Sequence, residues 1–190
     1  FAVLIGGSIY RIVEMLRLAK EEKIIYPYMK MEYSLRSLVR WLIPYATRSM
    51  RINTLMTAVA FAFHICLLVT PLLLLAHQEL WGIRILTLPG WLADLMTIVV
   101  VLGGVYFLQR RLLVPYVNNV PYASDFLLLI CVVTPYLTGF LAYHQWFDYN
   151  IVMHVHVLSG CIMLMIIPFT RIAHMIFFAF TRAYMACEFG

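Results

Sequence analysis

Long apolar runs constrain this chain more than any other feature. Segments at about residues 53–76, 91–108, 124–143 and 154–184 are mostly apolar and nearly free of charge. Each reaches roughly the ~20 residues that cross a hydrocarbon core about 30 Å thick. Hydrophobic residues make up 64% of the 190 and charged residues 12%, where a soluble domain is nearer one half and one quarter. The expected fold is therefore all-α: one polytopic membrane helical bundle of five transmembrane helices, a single domain over residues 1–190. Residues 1–10 are too short to span and run into the charged helix RIVEMLRLAK. They are expected to be the end of a first transmembrane helix that starts before Phe1. A cleaved signal peptide fits less well, because its charges would precede the apolar run.

The charges set an orientation. Thirteen of the 14 Lys and Arg fall on one side of the expected spans, nine of them between residues 11 and 51, and only Arg84 falls on the other. The positive-inside rule puts the basic side in the cytoplasm and the amino terminus outside, in an inner (cytoplasmic) membrane. A net charge of +5 would suit nucleic acid, but charges confined to loops beside apolar spans argue against it. In the basic segment 20–51, Lys20, Lys23, Lys30, Arg36, Arg40, Arg48 and Arg51 alternate with residues such as Tyr28, Tyr33, Leu38 and Trp41. SLRSLVRWLI has the apolar face of an interfacial helix, suited to a soluble partner or to lipid headgroups. Gly103-Gly104 would let another helix approach closely, Pro135 and Gly139 could kink the fourth span, and LWGIRILTLPG looks like a re-entrant or interfacial loop. Cys66, Cys131, Cys161 and Cys187 form no CxxC pair, which argues against iron–sulfur or zinc sites, and no CxxCH admits covalent haem.

Histidines carry the chemistry. In the stretch 154–174 the 18-residue step from His156 to His174 closes to whole turns of an ideal helix, about 27 Å along its axis. His154 falls on nearly the opposite face and is treated as a non-ligand. The second span carries His64 near its middle and His77 at its far end, with Pro71 between. Antiparallel helices would then pair His64 with His174 inside and His77 with His156 outside. Two neutral imidazoles facing each other in an apolar sheath are what a b-type haem needs. The 13-residue step from His64 to His77 leaves their rings about 140° apart on an ideal helix. A kink or π-bulge near Pro71 would have to rotate His77 back.

IPFTRIAH at residues 167–174, with His156 eighteen residues before its final histidine, resembles the last helix of the nitrate reductase gamma-subunit family of di-haem cytochromes b. The five-helix layout, GSIYR ending helix 1 and a histidine pair on helix 2 are similar too. The thirteen-residue helix 2 spacing departs from the family's ten. It points to the branch found in sulfate reducers' transmembrane redox complexes and heterodisulfide-reductase-like systems. The resemblance implies two haems b, ligated by His64/His174 and His77/His156, with Arg171 on a haem propionate. It implies exchange with a membrane quinone, usually menaquinone, near the outer haem, where His77, Gln78, Glu79, Arg84 and His144 are the candidate residues, with Trp81 and Asp148 nearby. It also implies a cytoplasmic iron–sulfur subunit as partner, with a periplasmic multihaem cytochrome c and other membrane subunits as further candidates. Asp94 is expected to be simply a helix amino-terminal residue. Two other functions compete: a haem-free, quinone-binding membrane anchor, and a small transporter with a histidine proton relay. The transporter calls for internal symmetry and ionisable groups at mid-membrane, and the sequence has neither.

Overall fold

A computed structural model describes residues 1–19, 30–114 and 123–189; Lys20, Lys23 and Tyr28 of the basic segment lie outside them. The described residues are helical, with no strand among them. In order the helices are α1 (Ala2–Leu18), α2 (Met31–Leu42), α3 (Arg48–Ile52), α4 (Thr54–Leu73), α5 (Leu75–Trp81), α6 (Gly90–Leu113), α7 (Ala123–Tyr143), α8 (Tyr149–Ile166) and α9 (His174–Phe189). Helix is what an apolar chain in lipid requires, since it satisfies the backbone within one segment. Four stretches are long and apolar enough to cross a membrane: Thr54–Leu73, Gly90–Leu113, Ser124–Tyr143 and Tyr149–Phe169. Their exposed residues include Leu68, Leu102, Leu127 and Ile151, as a lipid-facing surface needs. The chain is thus a multi-pass, all-helical protein, and lipid is its surrounding.

Two compact units make up the chain, Ala58–Met163 and a second formed by Phe1–Thr57 with Leu164–Gly190. In the first, Phe63 of α4, Val100 of α6 and Tyr136 of α7 form the core, flanked by Cys66, Leu67, Phe107, Val132 and Val133. The Gly103-Gly104 pair permits this packing. A Cβ on Gly103 would lie 2.9 Å from Phe63 Cδ2, and one on Gly104 2.5 Å from Val133 Cγ2. The close approach expected of these glycines is therefore made, on both sides of α6.

In the second unit α1 crosses the turn at Pro168, where a Cβ on Gly7 would come within 2.7 Å of the Pro168 ring. Helix α2 packs on α9: Ser34 Oγ donates to the Ala183 carbonyl at 3.1 Å, and the Arg182 guanidinium lies 3.6 Å above the Trp41 ring.

Two expected helices are broken. Residues 154–184 do not form one rod. Helix α8 ends at Ile166, two 3₁₀ turns follow at Ile167–Phe169 and Arg171–Ala173, and α9 begins at His174. Pro168 has no N–H to continue the ladder. Thr170 is extended (φ −126°, ψ −176°), and its side chain accepts the Ile172 N–H. The whole-turn argument linking His156 to His174 therefore does not apply. Residues 53–76 are broken as well. Helix α4 stops at Leu73, Leu74 is extended (φ −71°, ψ 128°), and His77 belongs to the separate α5.

Candidate functional site

The break after α4 positions His77. A helix end leaves carbonyls without intrahelical partners, and in lipid each must be satisfied by protein. Thr70 O accepts the Leu74 N–H at 3.1 Å and Leu73 O the Leu88 N–H at 3.0 Å. Leu72 O accepts from Gln78 Nε2 at 2.9 Å. Pro71 O pairs with His77 Nδ1 at 3.0 Å. Upstream, Pro71 cannot donate to the Leu67 carbonyl four residues earlier, and the Tyr136 hydroxyl donates to it instead. Thus the kink expected at Pro71 is instead a helix break three residues later, and the Pro71 carbonyl orients the imidazole.

His156 on α8 meets α7 at its proline. Its Nδ1 lies 2.9 Å from the Pro135 carbonyl and 3.4 Å from Thr138 Oγ1. Gly139 leaves room for the ring, since a Cβ there would come within 2.9 Å of His156 Cε1. The expected kink site is therefore better described as a seat for an imidazole.

These two arrangements bring His77 and His156 together. Their ring centroids are 6.0 Å apart and their planes 5° from parallel. Each Nδ1 is committed to a carbonyl oxygen, which makes it the protonated nitrogen and leaves Nε2 with its lone pair. The site thus holds two stacked imidazoles, each with Nδ1 on a backbone carbonyl, the donor type that bis-histidine ligation uses. No group of three or more His, Cys, Asp or Glu that could hold a metal ion occurs among the described residues. A haem site does not need one, because the macrocycle supplies the remaining ligands.

His64 and His174 fall in different compact units. His64 Nδ1 lies 2.7 Å from Ala60 O and His174 Nδ1 2.9 Å from Arg171 O, carbonyls of the turn just before each, unlike the contacts of His77 and His156. His154, the expected non-ligand, has Nδ1 on Asn150 O at 2.5 Å and is exposed. Arg171 is exposed, one 3₁₀ turn before His174.

The remaining candidates fall into separate polar contacts. Glu79 and Arg84 form an exposed ion pair. His144 Nε2 lies 3.2 Å from Asp94 Oδ1, and Phe140, Tyr143 and Trp146 surround the imidazole at centroid distances of 4.4, 5.2 and 5.7 Å. Asp94 is thus a partner to His144 rather than simply a helix-start residue, a long-range pairing that local sequence does not reveal. Gln78 has a structural task instead of an open one. It is 1% exposed; Nε2 donates to Leu72 O and Leu86 O at 2.9 and 2.8 Å, and Oε1 accepts the Ile85 N–H at 3.2 Å. Its amide pins the loop after Gly82, whose left-handed backbone (φ 68°) caps α5.

Comparison with known proteins adds one relative. The chain is 28% identical over 197 aligned residues to a protein of Nitratidesulfovibrio vulgaris (strain Hildenborough) described only as "Protein", covering 99% of this chain and 87% of that one. No family model and no solved structure matches.

Proposed function

We propose that this chain is a membrane-embedded di-haem cytochrome b subunit, similar to the nitrate reductase gamma-subunit family, that carries electrons between a membrane quinone and redox partner subunits. The observation that carries this proposal is the His77–His156 pair, with parallel rings 6.0 Å apart and both Nδ1 atoms tied to backbone carbonyls. Haem b held there would supply one-electron transfer in an apolar sheath. The chain's own residues do the rest. The Pro71 and Pro135 carbonyls fix the tautomers, Gly139 gives His156 its room, and the neutral imidazoles enter lipid far more cheaply than any charge. His64 and His174 are proposed as the inner pair, with Arg171 placed in sequence to meet a propionate. On this proposal α1 belongs to a fifth span, the amino terminus is outside, and the basic segment meets an iron–sulfur partner in the cytoplasm.

Quinol oxidation requires a group to take each hydroxyl proton. The His144–Asp94 pair is the proposed acceptor, an imidazole nitrogen 3.2 Å from a carboxylate oxygen. Glu79 and Arg84 are the neighbouring polar groups on the segment that carries His77.

A haem-free anchor has one observation in its favour: both imidazoles bond backbone carbonyls, Pro71 O near the end of α4 and Pro135 O within α7, a task they could perform without iron. A pyridine haemochrome assay on purified protein separates the two. Two haems b per chain is the expected result. Absence of haem from protein made in a haem-replete host would sink the proposal and leave the anchor.

A further inference from the structure

We infer that α2 lies in the plane of the membrane surface, with one apolar face in the acyl boundary and arginines Arg40, Arg48 and Arg51 on anionic phospholipid headgroups. At about 100° per residue the helix divides into three sectors. Ser34, Ser37, Leu38 and Trp41 form the face that packs within the unit, seen in the Ser34–Ala183 hydrogen bond and the Arg182–Trp41 stack. Glu32, Arg36 and Arg40 form a charged sector, where Glu32 and Arg36 pair at 3.0 Å. Between them Met31, Leu35, Val39 and Leu42 line a third face at spacings of four, four and three. These residues are 83%, 60%, 46% and 66% exposed, and nothing described in the unit covers them.

Two observations identify the occupant as lipid. The first is depth. Helix α2 has 12 residues, too short to span, yet its unit is tied to the mouth of a span. The Tyr45 hydroxyl donates to Thr54 O at 3.4 Å, and Thr57 Oγ1 donates to Met50 O at 2.9 Å. Thr54 is the first residue of an apolar membrane-crossing helix, so α3 and the turn after α2 sit at the level where hydrocarbon meets headgroups. Tyrosine favours that level. The second is charge. Arg40, Arg48 and Arg51 are all exposed, while the one acidic residue of α2, Glu32, is engaged by Arg36. An apolar stripe flanked by arginine is the pattern of an interfacial helix on an anionic leaflet.

The test measures depth at Leu35. The whole protein carrying Leu35→Cys is labelled with a fluorophore and reconstituted into vesicles of phosphatidylcholine with or without phosphatidylglycerol; signal from the native cysteines is subtracted using the parent protein. Nitroxide on the upper acyl chain is expected to quench the Leu35 label strongly and aqueous iodide weakly. A label at Arg40→Cys, on the far side of the helix, is expected to show the reverse. Phosphatidylglycerol should strengthen the lipid quenching, and combining Arg40→Gln, Arg48→Gln and Arg51→Gln should abolish that dependence, at about fivefold in partitioning per cation. Iodide quenching of the Leu35 label in every composition would overturn the inference and mark the stripe as a surface for a protein partner. Lipid quenching that ignores both phosphatidylglycerol and the triple variant would overturn the headgroup assignment.

Discussion

Removing the Tyr136 hydroxyl should destabilise the protein only because Pro71 is where it is. In an unbroken helix the Leu67 carbonyl would accept the N–H of residue 71, but proline has none, and Tyr136 donates to that carbonyl from α7. The ring belongs to the Phe63–Val100–Tyr136 core and is 8% exposed, so water cannot replace the lost donor. Leaving a buried carbonyl unpaired costs about 1–3 kcal/mol in protein interiors, while interhelical hydrogen bonds in membranes average about 0.6 and reach about 1.7 kcal/mol. Tyr136→Phe should therefore cost about 1–1.5 kcal/mol. Pro71→Ala restores an N–H four residues beyond Leu67, so in that background Tyr136→Phe should cost about 1 kcal/mol less. The assay is a double-mutant cycle on reversible unfolding in mixed micelles or by steric trapping in bilayers. A coupling of zero, with Tyr136→Phe costing as much in the Pro71→Ala background as in the parent protein, would refute the argument.

Three further outcomes follow from the same geometry. Gly139→Val puts side-chain atoms where His156 Cε1 would lie 2.9 Å from a Cβ; overpacking of about 1–3 kcal/mol should displace the ring and lower haem from two per chain to one in a haemochrome assay. Gln78→Leu strips the partners from Leu72 O, Leu86 O and the Ile85 N–H; it should cost at least about 2 kcal/mol and expose the loop at residues 82–89 to limited proteolysis. Thr70 is 1% exposed and its hydroxyl has no partner among the described residues, so Thr70→Val should be neutral or stabilising by up to about 1 kcal/mol in the same unfolding assay.

The spans were legible because hydropathy over about twenty residues is a local property: the helices expected at 91–108 and 124–143 occur at Gly90–Leu113 and Ala123–Tyr143. Helix breaks were less so. Pro71 and Pro168 are visible as helix disruptors, but the sequence does not say whether each kinks the helix or ends it. At Leu74 the outcome depends on partners for the freed carbonyls, among them Gln78 and Leu88 from beyond the break. The same dependence explains why Gln78 looked like a ligand: a buried amide serving a loop resembles an exposed one in sequence. Ideal helical spacing suggested His156 and His174 on one face, yet the PFT segment of the motif interrupts the helix between them. The His77–His156 pair was legible as a match of depth along antiparallel helices. Its seat at Gly139 and the Asp94–His144 link were not, because both depend on which helices touch.

The central claim is that these histidines act in two pairs, and a redox titration of haem absorbance on purified single variants tests it most directly. The expected result is that His77→Ala and His156→Ala remove the same spectral component, that His64→Ala and His174→Ala remove the other, and that each variant keeps about one haem per chain, as bis-histidine ligation requires. Loss of different components from His77→Ala and His156→Ala, or two intact components in either, would contradict it.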